Sequence, residues 1–317
     1  MFTVRQMRYF DALASTLHFR KAAELAHVSQ PALSAQIAEM EALAGAPLFE
    51  RSQRQVIMTE LGKQLYPGIQ TVLRELHMLE EIAAQSRGLL QTRLRLGIIP
   101  TVAPYLVPVL IPLLRERHPS FRLQLRESVT AKLLDELHAG EIDAIVAALP
   151  IDDERLAQRK LFDDRFLIAT STNDQTVLAS PMTQDNVALD RLLLLEEGHC
   201  MRDQALAVCS HPPQRQLVKY GATSMTTLLQ MVSHGMGLTL IPEIAVRAEA
   251  RSSHMRIVPF DGEQPKREIA LFWRRQSMRR KDFQALAECL AESAEKLMIN
   301  QTELNRLLDK PLAPSTS

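Results

Sequence analysis

This chain of 317 residues holds only three cysteines and one tryptophan. It has no net charge, because the numbers of basic and acidic side chains are equal. So few cysteines exclude a disulfide-stapled secreted fold, and with no signal-peptide pattern they predict a reducing, cytoplasmic location. No apolar run approaches the roughly 20 residues that a membrane-spanning helix needs. The first 62 residues carry six basic and six acidic side chains. Bulk charge therefore does not indicate a nucleic-acid partner.

Two of the three cysteines, Cys200 and Cys209, lie in one short segment, residues 196–209. Cys200 follows His199 and lies two residues before Arg202, at a predicted strand-to-helix turn where helix amides and cationic neighbours favour a thiolate. Three acidic neighbours oppose that effect. From spacing alone, a redox pair competes with the commoner interpretation of two inert core cysteines.

Residues 1–60 show the pattern of three short helices followed by a hairpin. Apolar spacing predicts a first helix over residues 4–17 and a second from Phe19. A third helix begins after Ser29, a good N-cap, with a proline in its first turn. Its apolar stripe leaves alanines, amides and hydroxyls on the outward side, and side chains of this kind reach base edges and phosphates. The alternative is a three-helix core with an ordinary solvated face.

The next stretch, residues 48–59, alternates like a short hairpin with two arginines near its tip, which favours the DNA-binding interpretation. Segments 19–23, 28–34 and 48–51 resemble, in order and spacing, the winged helix-turn-helix of LysR-type transcriptional regulators. The resemblance implies that the third helix is the recognition helix. It places at the DNA Ser29, Gln30, Pro31, Ser34, Gln36, Arg51 and Arg54.

A long amphipathic segment, residues 61–90, follows the hairpin. Its apolar residues step alternately by four and three, which predicts a coiled-coil seam between two chains: Leu65, Ile69, Val72, Leu76, Leu79 and Ala83. The alternative is a helix packed on its own domain, and Pro67 costs the helix some stability. A paired seam would set two recognition helices on a pseudo-palindromic site. The LysR resemblance implies homodimers that pair into homotetramers.

From Leu94 the pattern alternates buried strands with helices and predicts an α/β arrangement. We expect two lobes, with the chain crossing near residue 165 and returning near residue 267, and a ligand site between them at strand ends. The predicted fold is thus a winged helix-turn-helix (1–60), a long linker helix (61–90) and a two-lobed α/β, periplasmic-binding-protein-like regulatory domain (91–305). A disordered tail (306–317) is expected to follow.

Segments 97–106, 196–205 and 222–228 resemble the OxyR family of peroxide sensors, and the resemblance extends to about residue 300. It implies that peroxide oxidises Cys200 to a sulfenic acid, which the resolving thiol Cys209 condenses to a disulfide. It also implies a peroxide pocket formed by Thr101, Thr130, His199, Asp203 and Arg267. From the residues alone, Thr130 reads equally as a helix N-cap, Arg267 as a surface strand residue and Asp203 as a first-turn acid.

The resemblance implies a hydrogen-peroxide-sensing DNA-binding regulator, mainly an activator of oxidative-stress defence genes, and not an enzyme. Its implied partners are double-stranded DNA, hydrogen peroxide, further copies of the chain, a cellular thiol reductant and RNA polymerase, with no membrane. No cofactor or metal is expected, because no further His or Cys stands at ligand spacing from His199 and Cys200. Two alternatives stay open: a regulator that binds a small organic effector, and a thiol peroxidase or solute-binding protein.

Helical geometry constrains the implied disulfide. If residues 201–209 are helical, Cys200 and Cys209 lie roughly 13 Å apart along the axis. A disulfide needs Cα atoms within about 7 Å. We therefore expect this helix to unwind on oxidation and to act as a two-state switch. Cys289, on the last predicted helix, is expected to serve packing.

Overall fold

The computed structural model describes residues 1–51, 55–85, 89–174, 183, 191–198, 200–208, 221–249 and 254–299. Arg54, His199, Cys209 and the predicted tail, residues 306–317, lie outside these ranges. The chain divides into two compact units, Met1–Ser86 and Arg87–Ser317. Across the described residues, no helix combines the length and apolar character needed to cross a membrane.

The first unit runs from short helices through a hairpin into a long helix. Its elements are α1 (Val4–Thr16), α2 (Phe19–Leu25), α3 (Gln30–Ala44), β1 (Phe49–Arg51), β2 (Val56–Met58) and α4 (Glu60–Gln85). The two strands pair antiparallel, with Glu50 opposite Ile57. This order confirms the predicted helix-turn-helix with a hairpin wing.

Helix α3 forms where the sequence predicts it. The Ser29 hydroxyl accepts a hydrogen bond from the Ala32 amide at 3.4 Å, so the N-cap prediction is confirmed. The side chains of Leu33, Ile37 and Met40 are fully buried in the core of this unit. Their burial fixes the rotation of α3 and leaves its opposite side to solvent.

Helix α4 divides the predicted seam into two parts. Ile69 is buried in the core of the first unit and Leu65 packs partly against it, which favours the alternative of a helix on its own domain for this part of the stripe. That core is small, and the first turns of α4 supply apolar area that α1 and α3 lack. Farther along α4, Val72 and Leu79 are 44% and 63% exposed. Among the described side chains, these two residues are the most exposed part of the stripe and stay available for another surface.

The second unit alternates strands and helices. Its elements are β3 (Arg93–Ile98), α5 (Ala103–Arg117), β4 (Arg122–Glu127), α6 (Thr130–Ala139), β5 (Ala144–Ala148), β6 (Leu156–Ser171), β7 (Leu194–Leu195), α7 (Cys200–Val208), β8 (Gly221–Ala222), α8 (Met225–Ser233), β9 (Thr239–Pro242), α9 (Glu243–Glu249), β10 (Met255–Val258), β11 (Lys266–Arg274) and α10 (Arg280–Glu295).

Strands β6 and β11 join two lobes in the second unit. In the first lobe β4, β3 and β5 run parallel, and β11 adds an antiparallel strand beside β5. Strand β6 pairs with β11 up to Arg165 and with β9 from Phe166 onward, where β10 also joins it. The chain therefore enters the second lobe at residue 165 and returns at the start of β11, which confirms the two predicted crossings.

The pattern does not predict the first half of β6, helix α9 or strand β10. Residues 156–165 carry charged side chains such as Arg159, Lys160 and Asp163, which hide the strand period. They sit in β6 because its backbone pairs along β11. Helix α9 has only seven residues and begins with the buried Glu243. Long-range pairing and buried charge override local preference in these segments.

Candidate functional site

Cys200 is the first residue of α7 and follows β7 through a short turn, so the predicted strand-to-helix placement is confirmed. The turn contains Gly198 at φ +93°, a backbone conformation that side chains with a Cβ rarely adopt. The thiol is free and partly exposed. Glycine therefore allows the tight turn that presents Cys200 at the end of a strand.

A small, narrow cavity lies against Cys200. Its walls are Ile99, Pro100, Thr101, Val129, Thr130, Gly198 and Cys200. Residues 99–101 follow β3, and Val129 and Thr130 form the N-cap and first residue of α6, which follows β4, so the ends of neighbouring parallel strands of the first lobe supply one wall. The second lobe supplies Cys200. The cavity therefore lies between the lobes at strand carboxyl ends, the place that the α/β pattern predicts.

Thr130 contributes a buried hydroxyl group to this cavity. Its Oγ1 is buried and makes no hydrogen bond within the described residues. Val129, not Thr130, is the N-cap of α6, so the N-cap alternative for Thr130 is wrong. A buried hydroxyl left without a partner costs free energy unless a ligand or water completes it. Thr130 is thus suited to bind a small polar molecule beside Cys200.

Thr101 is held from behind by a buried ion pair. Arg267, 3% exposed, donates from one terminal nitrogen to Thr101 Oγ1 at 2.8 Å and from the other to the Thr101 carbonyl oxygen at 3.3 Å. It also donates twice to Asp164 Oδ2, at 3.0 and 2.8 Å. The alternative of Arg267 as a surface strand residue is therefore wrong.

Asp164 is completely buried, and this burial raises the pKa of its carboxyl, while the Arg267 charge and the Ile244 amide lower it. The Ile244 amide donates to Asp164 Oδ1 at 3.1 Å. Since both carboxylate oxygens accept hydrogen bonds, Asp164 is oriented from α9 as well as from β11. The sequence pattern gives no sign of this residue.

The polar side chains of helix α7 differ in their exposure and in their hydrogen-bond partners. Asp203 is exposed in the first turn, three residues after Cys200, and is not among the residues that line the cavity. Arg202 donates to the Leu195 carbonyl oxygen at 3.1 Å and closes the turn before the helix. Gln204, four residues after Cys200, keeps a buried Oε1 without a partner in the described part of the chain.

Gln204 is not among the site residues predicted from the sequence, although its spacing from Cys200 could have indicated it. Residues four apart share one face of a helix, so Gln204 lies on the face that carries Cys200. A buried amide oxygen without a partner is ready to accept a hydrogen bond from a ligand. Gln204 therefore joins the candidate site.

A second polar contact joins the lobes. Tyr105 on α5 donates to Glu249 on α9 at 3.0 Å, and Thr226 on α8 donates to the same carboxylate oxygen at 3.0 Å. Burial and the adjacent Glu249 raise the pKa of Tyr105, so its hydroxyl stays a proton donor. Cys289 lies in the hydrophobic core of this unit, and burial raises the pKa of its thiol. This location fits the packing role expected of Cys289.

The candidate DNA-binding residues lie on the solvent side of α3 and on the hairpin. Ser29, Gln30 and Pro31 are exposed, while Ser34 and Gln36 are partly exposed. The backbone of Arg51 ends β1, and its side chain lies outside the described part, as does Arg54. Among the described residues, no cluster of His, Cys, Asp and Glu has a geometry that would hold a metal ion.

Both units match known protein families. Residues 4–63 match the family described as "Bacterial regulatory helix-turn-helix protein, lysR family", and residues 87–295 match "LysR substrate binding domain". A DNA-binding head joined to a two-lobed effector unit defines the class. The chain is a LysR-type transcriptional regulator.

Relatives and solved structures narrow this class. The "DNA-binding transcriptional dual regulator OxyR" of Escherichia coli strain K12 is 37% identical over 287 residues, covering 90% of this chain and 94% of the relative. A "probable hydrogen peroxide-inducible genes activator" of Streptomyces viridosporus is 36% identical over 299 residues, covering 94% and 96%.

Two solved structures agree. Full-length OxyR of Pseudomonas aeruginosa with a cysteine-to-aspartate substitution has 33% identity and a TM-score of 0.71, covering 92% of this chain and 98% of that one. A hydrogen-peroxide-bound cysteine-to-serine mutant of Corynebacterium glutamicum OxyR has 30% identity and a TM-score of 0.63, covering 93% of each chain. Within the LysR class, the chain belongs to the OxyR family of peroxide-responsive regulators.

Proposed function

We propose that this chain senses hydrogen peroxide through Cys200 and mainly activates the transcription of oxidative-stress defence genes. The observation that carries the proposal is the cavity that brings the Cys200 thiol together with Thr101 and Thr130. The buried hydroxyl of Thr130, which has no hydrogen-bond partner in the described part of the chain, supports a small polar ligand there. The "probable hydrogen peroxide-inducible genes activator" of Streptomyces viridosporus and the hydrogen-peroxide-bound Corynebacterium glutamicum OxyR point to the same ligand.

In the first step the Cys200 thiolate attacks one oxygen of hydrogen peroxide. The S–O bond forms, the O–O bond breaks, and hydroxide leaves and takes up the proton that the Cys200 thiol released to solvent on ionising, so that sulfur is oxidised to a sulfenic acid and peroxide is reduced to water. Hydrogen bonds from hydroxyl groups to the leaving oxygen stabilise the charge that develops on it. The threonines of the cavity are the groups placed for this role.

In the second step the Cys209 thiol condenses with the sulfenic acid, and water leaves as the disulfide forms. Helix α7 begins at Cys200 and runs to Val208, one residue before Cys209. The disulfide therefore requires remodelling of α7, which provides a conformational signal to the rest of the chain. A cellular thiol reductant would reverse the bond.

The lining of the cavity favours peroxide over an organic effector. The hydroxyl-bearing Thr101 and Thr130 stand beside the Cys200 thiol, an arrangement that a regulator of a non-redox effector would not require. The helix-turn-helix unit, in turn, has no purpose in a thiol peroxidase or a solute-binding protein. We therefore place the chain among regulators rather than enzymes.

The first unit is proposed to bind double-stranded DNA through the solvent face of α3, with Arg51 and Arg54 of the hairpin on phosphates. The exposed part of α4, at Val72 and Leu79, supports pairing of two chains, and homodimers would present two α3 helices to a pseudo-palindromic promoter site. Pairing of dimers into homotetramers and contact with RNA polymerase complete the proposal.

Mass spectrometry after a brief peroxide pulse tests the redox step. The wild-type chain should gain a Cys200–Cys209 crosslink under non-reducing conditions, and Cys209→Ser should stop at a sulfenic acid on Cys200. Cys289→Ser is the matched control, because this thiol is buried away from the cavity, and it should oxidise like wild type. Absence of any oxidation at Cys200 would refute the proposed function.

Footprinting on the chain's own upstream region, with and without peroxide, tests the DNA step. Oxidation should change the protected pattern in wild type and leave it unchanged in Cys200→Ser. Gln30→Ala should weaken protection in both states with the melting temperature unaltered, because Gln30 is exposed on α3. If the wild-type chain gives the same protected pattern with and without peroxide, regulation through Cys200 is contradicted.

A further inference from the structure

The donors of Arg267 are divided between two partners. Nε and one terminal nitrogen donate to Asp164 Oδ2, while the other terminal nitrogen donates to Thr101 Oγ1. The Arg267 and Asp164 side chains are 1% and 0% exposed, so water does not compete for these contacts. The planar guanidinium is thereby held in one orientation behind Thr101.

This contact decides what the Thr101 hydroxyl does. A guanidinium has only donors, so Thr101 Oγ1 is the acceptor of that hydrogen bond and its own hydrogen points elsewhere. No acceptor for that hydrogen is found among the described residues, and Thr101 lines the cavity of Cys200. The hydroxyl hydrogen is therefore available to a molecule inside the cavity.

Asp164 keeps Arg267 in this orientation. Its second oxygen is fixed by the Ile244 amide at 3.1 Å, at the start of α9. The Phe166 ring lies 5.8 Å from the guanidinium carbon and limits motion on another side. Without the carboxylate, Arg267 would lose two of its hydrogen bonds. Its guanidinium would then no longer be held in the orientation that donates to Thr101.

We propose that Asp164 is a positioning residue for peroxide reduction. It orients Arg267, Arg267 occupies the acceptor side of the Thr101 hydroxyl, and Thr101 donates its hydrogen bond to the oxygen that leaves as hydroxide when the Cys200 thiolate attacks. The proposal rests on the proposed function. It assigns to Arg267 an action through Thr101 rather than directly on the thiol.

Two rate constants of Cys200 test this chain of contacts, measured in the full-length Cys209→Ser background so that only the first step is seen. One is sulfenic acid formation with hydrogen peroxide. The other is alkylation by iodoacetamide, which also consumes the thiolate but releases no hydroxide. A positioning role predicts that Asp164→Asn slows the peroxide reaction about ten-fold to a hundred-fold, less than the roughly hundred-fold to thousand-fold loss when a preorganised donor to a developing oxyanion is removed outright. Alkylation should change less than about two-fold.

A double-mutant cycle with Thr101 separates positioning from general damage. Thr101→Val should slow the peroxide reaction similarly, Thr101→Ser should retain it, and Asp164→Asn should add little to Thr101→Val because both act through one hydroxyl. Additive losses, or equal losses in the peroxide and alkylation rates, would overturn the proposal.

Arg267→Lys tests the proposed positioning role if Asp164→Asn does not fold. It keeps a charge beside Asp164, but one ammonium lacks the fork that reaches both partners. A selective loss of peroxide rate supports the proposal, and an unchanged rate overturns it. If the parent chain itself fails to form a sulfenic acid, the proposed function falls. If the parent reacts and Asp164→Asn reacts equally fast, only the role of Asp164 falls.

Discussion

Helix α7 must lose structure before the proposed disulfide closes, and this requirement can be measured. With a rise of about 1.5 Å per residue, the Cα atoms of Cys200 and Val208 lie roughly 12 Å apart in an intact helix. Cys209 follows Val208 by one peptide, about 3.8 Å. Even the shortest arrangement then leaves about 8 Å, beyond the ~7 Å limit for a disulfide.

Ala207→Gly is the perturbation, because Ala207 is exposed and next to last in α7. Glycine in place of alanine lowers helix stability by up to about 1 kcal/mol. That free energy raises the population of the unwound helix by about five-fold. We expect closure of the disulfide from the sulfenic acid to accelerate by roughly two-fold to five-fold, while formation of the sulfenic acid stays unchanged.

Rapid quenching with thiol alkylation and mass spectrometry gives both rates from one time course. Ala248→Gly is the matched control, since Ala248 is also exposed and next to last in its helix, α9. It carries the same backbone cost without touching α7. A closure rate in Ala207→Gly equal to that of wild type, or an equal acceleration in Ala248→Gly, would refute the argument that unwinding of α7 limits closure.

Three further predictions use single side chains. Burial raises the pKa of Asp11, opposed by its hydrogen bond with Tyr66, so the ionised form costs stability in the folded chain. Asp11→Asn should raise the melting temperature at pH 7 by roughly 1 to 3 °C. This advantage should shrink as the pH falls through the raised pKa, because the folded chain then gains its proton; a pH-independent difference would contradict it. Gln204→Met should slow oxidation of Cys200 by peroxide without lowering the melting temperature, since it removes an amide oxygen that has no partner among the described residues; equal peroxide rates would show that Gln204 does not belong to the site. Leu79→Asp should weaken self-association in sedimentation experiments at an unchanged melting temperature, because Leu79 is 63% exposed, and unaltered association would argue against a seam there.

Local patterns predicted the elements whose signals are contiguous in the sequence. The N-cap Ser29 and the buried stripe at Leu33, Ile37 and Met40 follow from spacing on one helix, and α3 forms where they indicate. The strand-to-helix turn at Cys200 is also visible locally. Such features depend on neighbours within one or two turns, which the sequence lists in order.

The coiled-coil prediction shows that a periodic apolar pattern does not identify the surface that its face packs against. The same stripe on α4 packs on its own unit at Leu65 and Ile69 and is exposed at Val72 and Leu79. A period of three and four describes one apolar face but not the surface that covers it. Only the tertiary contacts of the first unit divide the stripe.

By itself the sequence determined the chemistry available to this protein: a helix-turn-helix with amide and hydroxyl side chains outward, and a thiol at a strand-to-helix turn with threonines at other strand ends. The tertiary structure decided which groups meet. Arg267 reaches Thr101 across 166 residues and Asp164 across 103, separations that no local period encodes. Because a buried guanidinium must find partners wherever the fold provides them, only the packed lobes reveal that Arg267 supports Thr101 and that Asp164 orients Arg267.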